Sequence, residues 1–333
     1  MPAEAYDNLG PEFLDFDWAA RLCATTLIEL AFAEDLGGDY PYLGLDPDAG
    51  RVGLAFDTSR PGPADITADA TIPADARGAA RFVARSCGVV AGLPVLSMVA
   101  RRFGLATFYR ALVNDGDRVE AGTVVATVAG PMRALLTAER TGLNFLQRLS
   151  GVATLTAQFV DRVKGTKARV LDTRKTTPGW RALEKYAVRQ GGGANHRLGL
   201  HDAVLIKDNH LAWLSYLGHD NPVVDAVNAA RARVPAGTVV EVEIDTLEQF
   251  DRALECRPDI ILVDNLGPDA LAEAVRRRDA TAPAVLLEAS GGVTLETVAA
   301  LARTGVDRIS VGALTHSAPA LDIGLDFDRS SPE

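Results

Sequence analysis

The second half of the sequence predicts an α/β barrel, on three observations. Short apolar runs recur after residue 163, at Arg169–Leu171, Ala203–Ile206, Val239–Glu243, Ile260–Val263, Val285–Leu287 and Arg308–Val311. Helical stretches such as Leu247–Cys256, Pro268–Arg277 and Leu295–Thr304 separate them, the alternation expected of a parallel sheet covered on both faces. Almost every run also closes on a polar residue or glycine: Asp172-Thr-Arg-Lys, Lys207, Glu243, Asp264, Glu288-Ala-Ser-Gly-Gly and Gly312. A barrel gathers functional groups at the C-terminal ends of its strands. The competing doubly wound open sheet concentrates its ligands at one switch point and accounts for this pattern less well.

The first part mixes helix and strand. A helix is expected near Trp18–Phe32, and strands from Gly78 to Val90. The Gly/Pro/Asp-rich stretch from Gly37 to Pro63 lacks apolar periodicity and reads as a long surface loop or insertion. Residues 115–128 read as paired strands joined by a glycine turn, the shape of a biotinyl or lipoyl carrier hairpin. A carrier needs a lysine at that turn, and the first lysine of the chain is Lys164. From Glu139 to Val163, Leu143, Leu146, Leu149 and Val152 mark an amphipathic helix.

The charge is distributed unevenly. All five lysines and four of five histidines fall between Lys164 and His219, and Lys164–His210 holds ten Lys/Arg against four Asp/Glu, although the 333-residue chain carries a formal charge of −10. So local a cationic excess predicts an anion-binding site. The acidic balance argues against nucleic acid, which needs an extended basic surface. No basic leader precedes an apolar run, and no segment has eighteen consecutive apolar residues, so neither export nor membrane insertion is expected. Cys23, Cys87 and Cys256 have no metal or redox spacing and read as buried apolar thiols of a cytoplasmic protein.

The candidate site residues lie at the strand ends. Ser290-Gly291-Gly292 and Val311-Gly312-Ala313 stand where barrels hold a phosphate, and each can also be a plain turn. Arg174, Lys175, Arg197 and Lys207, with His196 beside Arg197, supply cations; each alone would serve equally on a solvated face. Glu243 and Asp264 can hold Mg²⁺ against phosphate oxygens or stabilise positive charge on a sugar, or belong to a structural ion-pair network. A histidine metal site is not expected, because His196, His201 and His210 lack helical spacing and cysteine neighbours.

Several stretches in order carry a resemblance: Glu139-Arg-Thr-Gly-Leu-Asn-Phe-Leu-Gln-Arg-Leu-Ser-Gly, Asp172-Thr-Arg-Lys-Thr-Thr-Pro-Gly-Trp-Arg, Gly191-Gly-Gly-Ala-Asn-His-Arg-Leu-Gly-Leu, Leu205-Ile-Lys-Asp-Asn-His, Val240-Glu-Val-Glu, Leu262-Val-Asp-Asn, Ala289-Ser-Gly-Gly-Val and Asp307-Arg-Ile-Ser-Val-Gly-Ala-Leu-Thr-His-Ser. Through them the chain resembles the quinolinate phosphoribosyltransferases. One departure is that the family's early Glu-Asp-Leu-Gly-x-Gly-Asp-Ile-Thr is split here, into Glu34-Asp-Leu-Gly-Gly and Asp65-Ile-Thr.

The resemblance implies an incomplete, TIM-like α/β barrel at residues 143–315, an N-terminal α/β sandwich at 1–142 with the insertion at 37–63, and a tail at 316–333 that rejoins the sandwich. It implies conversion of quinolinate and phosphoribosyl pyrophosphate to nicotinate mononucleotide, pyrophosphate and carbon dioxide, a step of de novo NAD biosynthesis, with Mg²⁺ as cofactor. Lys175, Lys207, Glu243 and Asp264 would be catalytic. Arg174, His196, Arg197 and Lys207 would surround the quinolinate carboxylates, Lys175 would lie toward the pyrophosphate, Thr173 would bind substrate beside them, Glu243 and Asp264 would face ribose and metal, and Ser290, Gly291, Gly292, Val311, Gly312 and Ala313 would take the 5′-phosphate. Arg140 would enter the site of a neighbouring subunit, so a homodimer or larger homo-oligomer is expected. The alternatives are a related transferase with another substrate, nicotinate or that of the molybdenum-transport-associated paralogue, and a non-catalytic binder of phosphorylated metabolites.

Overall fold

The computed structural model describes residues 16–36, 42–46, 51–55 and 65–328. Most of the expected insertion, the glycine pair closing Glu34-Asp-Leu-Gly-Gly, and both chain ends lie outside the described residues. The chain divides into two compact units, one ending at Thr154 and resuming at Pro319, the other Leu155–Ala318. Among the described residues no helix is long and apolar enough to cross a membrane.

The first unit begins with helix α1 (Trp18–Leu36), which buries Ala20, Ala24, Ile28 and Phe32 at four-residue spacing. Asp17 caps it by accepting from the Ala20 N–H at 2.9 Å. Strands β1 (Tyr42–Asp46) and β2 (Arg51–Ala55) pair antiparallel within the stretch expected to be a long surface loop or insertion. The missing apolar alternation gave no sign of strands there, yet backbone pairing does not require it. Helix α2 (Ile66–Thr71) starts from Asp65, whose carboxylate accepts from the N–H groups of Thr67 and Ala68, so the displaced Asp-Ile-Thr element is a helix cap.

Next come β3 (Arg77–Ala84), β4 (Gly88–Val89), α3 (Leu93–Arg102), β5 (Arg110–Ala111), β6 (Arg118–Val119), β7 (Val124–Pro131) and the long helix α4 (Met132–Val163). The helix begins seven residues before the start expected from the leucine spacing and runs unbroken through 142/143, the expected domain boundary. β7 lies between β3 and β5 in an antiparallel sheet, and the tail returns as a strand, Ile323–Phe327, on the free edge of β3. The expected hairpin at 115–128 does not form. β6 pairs with β4, because the turn at Gly122 is itself bonded to the end of β3: Gly122 N–H donates to Ala84 O at 2.8 Å and Ala84 N–H to Thr123 O at 2.9 Å. The chain is thereby handed from one sheet to the other.

The second unit carries the six expected strands: β8 (Arg169–Leu171), β9 (Val204–Ile206), β10 (Val240–Ile244), β11 (Ile260–Asp264), β12 (Leu286–Ser290) and β13 (Arg308–Ser310). Helices α5 (Arg181–Gln190), α6 (Asp208–Tyr216), α7 (Pro222–Arg233), α8 (Leu247–Cys256), α9 (Pro268–Thr281), α10 (Val298–Arg303) and the single turn α11 (Ala313–His316) connect or follow them. All six strands are parallel, in the order β8-β13-β12-β11-β10-β9. From β9 to β13 each strand lies beside its sequence neighbours, and β8, the first, pairs with β13, the last, so among the described strands the break falls between β8 and β9. That is a barrel open at one seam, and it excludes the doubly wound sheet, whose order reverses at a switch point. At the seam Ala194 bridges to Leu171, its N–H donating to Val170 O at 2.8 Å.

The strands are less uniformly apolar than expected. In β10, Val240, Val242 and Ile244 alternate with Glu241 and Glu243; in β12, Leu287 and Ala289 alternate with Glu288 and Ser290. By register, Leu262 opposes both Glu243 and Glu288, Asp264 opposes Ser290, and Arg308 opposes Glu288. These polar residues therefore share one sheet face. Its opposite face carries Val242, Ile261, Val263, Leu287 and Ile309, all nearly inaccessible. The thiols expected to be buried are not part of the core: Cys87 is exposed, and Cys23 and Cys256 are half-buried.

Candidate active site

The strand order brings the predicted residues of the second unit to one end of the barrel. Just past β8, Asp172 is fully buried and bonded to Lys185 of α5, itself 2% exposed. Asp172 also accepts from the His196 N–H at 2.9 Å and from Asn195 Nδ2 at 2.5 Å, while Lys185 donates to His196 O at 3.0 Å. This buried pair clamps the loop that carries His196 and Arg197 to the end of β8. Burial pushes the Asp172 carboxyl up and the Lys185 ammonium down, each against the pull of its partner. The sequence offered Lys185 only as one more cation of the basic stretch.

The remaining lysines sort differently from the uniform anion site expected of them. Lys164 pairs with Asp161, and Lys167 with Asp307 just before β13, at the end of the barrel away from the candidate site. Only Lys175 and Lys207 stand at the functional strand ends. Lys207, exposed at the start of α6, meets Glu243 at the end of β10 through Nζ and Oε2. His210 is absorbed locally, its Nδ1 accepting from the Lys207 N–H at 2.9 Å.

Arg174 and Arg197 are close enough that the charge of one depresses the pKa of the other. Burial lowers the Arg197 value first and Arg174 adds to it. The Nε atoms of both are buried without a protein partner, while Arg197 Nη1 donates to Ala203 O at 3.0 Å. Two adjacent guanidiniums with unused, desolvated donors suit a ligand bearing carboxylates. Thr173 Oγ1 accepts from the Lys175 N–H at 3.0 Å, and Thr315 donates to Lys175 O at 2.8 Å, fixing that turn.

The two glycine turns lie where they were expected. Gly291 and Gly292 have φ of 92° and 56°, the left-handed region that favours glycine. A Cβ on Gly291 would run into Asn265 Oδ1 and lie 2.9 Å from Asn265 N. At the other turn Val311 is buried, and Ala313 opens α11. A Cβ on Gly312 would lie 3.0 Å from Lys175 Cδ and 3.1 Å from His316 Nε2, so Lys175 and His316 converge on this turn. His316 was not among the expected residues; its only signal was its place in the Thr-His-Ser end of the last motif.

His196 is turned inward. Its Nε2 lies 3.2 Å from Glu241 and 3.4 Å from Glu288, and Glu288 also accepts from Arg308 at 2.5 Å. Burial alone would lower the imidazole pKa, but the bonds and charges of Glu241 and Glu288 outweigh it and push it up to about 9. An imidazolium carries hydrogen on both ring nitrogens, so the charged form forgoes the bond Nδ1 accepts from the Arg197 N–H at 2.8 Å. Two carboxylates facing Nε2 outweigh that one neutral bond. Among the described residues this is also the one group of three with ligand atoms close enough for a metal, within 4.8 Å. Spacing could not reveal a cluster assembled from a loop and two strands, and here His196 and Arg308 already supply the balancing positive charge.

Glu243 and Asp264 stand at adjacent strand ends and open onto a cleft of about 700 Å³ that Asp208 and Asp245 also border. The cations thus lie toward β8 and β9, and the acids toward β10 and β11. Arg140 is exposed on α4, in the first unit.

Fold and site together define an α/β-barrel enzyme that handles anions at its strand ends. Comparison with known proteins is specific. The family models described as quinolinate phosphoribosyl transferase, N-terminal domain and C-terminal domain, match residues 65–150 and 152–326. A nicotinate-nucleotide pyrophosphorylase [carboxylating] from Mycobacterium leprae is 52% identical over 265 residues, covering 79% of this chain and 91% of that protein. A probable nicotinate-nucleotide pyrophosphorylase [carboxylating] from Synechocystis is 43% identical over 254 residues, covering 76% and 84%. The solved nicotinate-nucleotide pyrophosphorylase from Francisella tularensis superposes with a TM-score of 0.76 at 33% identity, covering 96% of this chain and 98% of that one. The chain belongs to the quinolinate phosphoribosyltransferase family.

Proposed function

We propose that this chain transfers the phosphoribosyl group of phosphoribosyl pyrophosphate to quinolinate and releases carbon dioxide, giving nicotinate mononucleotide and pyrophosphate for de novo NAD biosynthesis. The observation that carries this is the juxtaposition, at one barrel end, of the Arg174/Arg197 pair with the carboxylates Glu243 and Asp264. Arg174, Arg197 and Lys207 bind the two quinolinate carboxylates, and His196, held by Glu241 and Glu288, lies beside Arg197. The glycine turns at Ser290–Gly292 and Val311–Ala313 take the 5′-phosphate, with Lys175 and Thr173 toward the pyrophosphate.

The ring nitrogen bonds to the ribose carbon as the bond to pyrophosphate breaks. Positive charge develops on the sugar, and Glu243 and Asp264 offset it. The ribosylated nitrogen is then cationic, and it stabilises the electron pair left on the adjacent carbon when that carboxylate departs as carbon dioxide; one proton taken up there completes the product. Glu243 and Asp264, hard oxygen donors beside an acidic cleft, suit Mg²⁺, which takes one or two carboxylates plus substrate phosphates and keeps several waters. Bound there, Mg²⁺ would neutralise charge on the departing pyrophosphate. The enzyme works as a cytoplasmic homodimer or larger homo-oligomer in which Arg140 reaches the neighbouring site.

The test is direct. Purified protein with Mg²⁺, phosphoribosyl pyrophosphate and quinolinate labelled in the departing carboxylate should release labelled carbon dioxide and nicotinate mononucleotide. Turnover of nicotinate without such release would replace quinolinate as substrate. Binding of both ligands with no product would favour a non-catalytic sensor.

A further inference from the structure

Asn265, which follows Asp264 at the end of β11, has no assigned part in the chemistry above. It is one of two non-glycine residues with left-handed backbone among the described residues, at φ 56°. Asparagine tolerates that conformation better than most residues, and strained backbone of this kind gathers at working sites. Here three contacts hold it. Its Nδ2 donates to Asp264 Oδ2 at 2.6 Å, its backbone N–H donates to Ser290 O at 3.0 Å, and its Oδ1 occupies the space a Cβ of Gly291 would need.

One side chain therefore touches both the acid that faces the ribose and the turn that takes the 5′-phosphate. We infer that Asn265 is a positioning residue that sets the spacing between Asp264 and the Ser290–Gly292 turn, and so registers the two ends of the ribose 5-phosphate unit. The inference rests on the function proposed above for its substrate. The geometry supplies the rest: an amide can donate to the carboxylate and pack its oxygen face on a bare glycine, whereas a carboxylate at 265 would repel Asp264 and a larger side chain would not fit against the turn.

Two variants separate the contacts. Asn265→Gly keeps the left-handed backbone free of strain and removes both side-chain contacts, so the fold is retained. Asn265→Asp keeps the shape against Gly291 and loses the donor. For Asn265→Gly the expected result is a KM for phosphoribosyl pyrophosphate raised about tenfold and a kcat lowered about tenfold, with KM for quinolinate within about twofold of wild type. Asn265→Asp should lower kcat similarly while leaving KM for phosphoribosyl pyrophosphate nearer wild type. Equal changes in both KM values, or no change in either variant, would overturn the inference. Calorimetric binding of phosphoribosyl pyrophosphate with Mg²⁺ to the same three proteins decides the matter independently of quinolinate. If wild type binds it but fails to turn over quinolinate, the proposed substrate is wrong, and a tenfold weaker affinity of Asn265→Gly still upholds the positioning role. If wild type does not bind it, both proposals fall.

Discussion

The guanidinium pair and the inward histidine make separable demands at the level of single residues. Arg174 and Arg197 each keep a buried Nε without a protein partner. Replacing either by lysine preserves charge and discards the planar fork, so KM for quinolinate should rise about tenfold or more while KM for phosphoribosyl pyrophosphate holds. Steady-state kinetics with each substrate varied reads this, and parallel rises in both KM values would contradict it. His196 has a folded pKa of about 9 against an ordinary 6.5. A raised folded value means its stabilisation is complete below the unfolded pKa and fades as pH climbs through the folded one. The melting temperature of wild type should therefore fall between about pH 6.5 and 9 by more than that of His196→Gln. Parallel curves for the two proteins would show that the imidazolium is not formed. The partner residues of His196 were partly legible: the Val240-Glu-Val-Glu alternation announces two carboxylates on one face, though treating each run as uniformly apolar hid it.

Turns and clamps carry the site at the scale of elements. Gly291 cannot take a side chain without displacing Asn265, and its φ of 92° disfavours any other residue. Gly291→Ala should raise KM for phosphoribosyl pyrophosphate far more than KM for quinolinate, a contrast that kinetics with each substrate varied would measure. The Asp172–Lys185 clamp predicts a stability effect. Lys185→Met leaves a buried carboxylate unpaired and should cost about 3–5 kcal/mol in urea unfolding. Adding Asp172→Asn should recover part of that loss, and a double variant no better than the single would argue against the pair as its origin. Element positions were well anticipated where a strand ended on a functional group, because burial on one side and polarity at one end leave a clear sequence mark. The β1–β2 pair and the β4–β6 pairing were not: the first joins neighbouring segments that carry no apolar alternation, and the second is settled by backbone bonds between segments about thirty residues apart rather than by side-chain pattern.

At the scale of the whole molecule, the proposed function makes a claim about assembly. Arg140 is exposed on α4, and the proposed assembly has it completing a neighbour. Arg140→Ala and Asp264→Ala should each be inactive alone and partly active once their subunits are mixed and exchanged, because one hybrid site then regains both residues. No recovery after exchange, confirmed by mass, would place Arg140 outside the shared site. The sequence by itself determined the class of fold, the identity of the strand ends and most of the residues gathered there, because parallel strands expose their chemistry at one end and local motifs record it. Only the tertiary structure decided that the seam of the incomplete barrel falls between β8 and β9, that Lys164 and Lys167 serve elsewhere while Lys185 is a buried clamp, and that His196 answers to Glu241 and Glu288. Those outcomes depend on which charges meet across long sequence separations in a space without water, where a partner decides whether an ionised group can be buried at all.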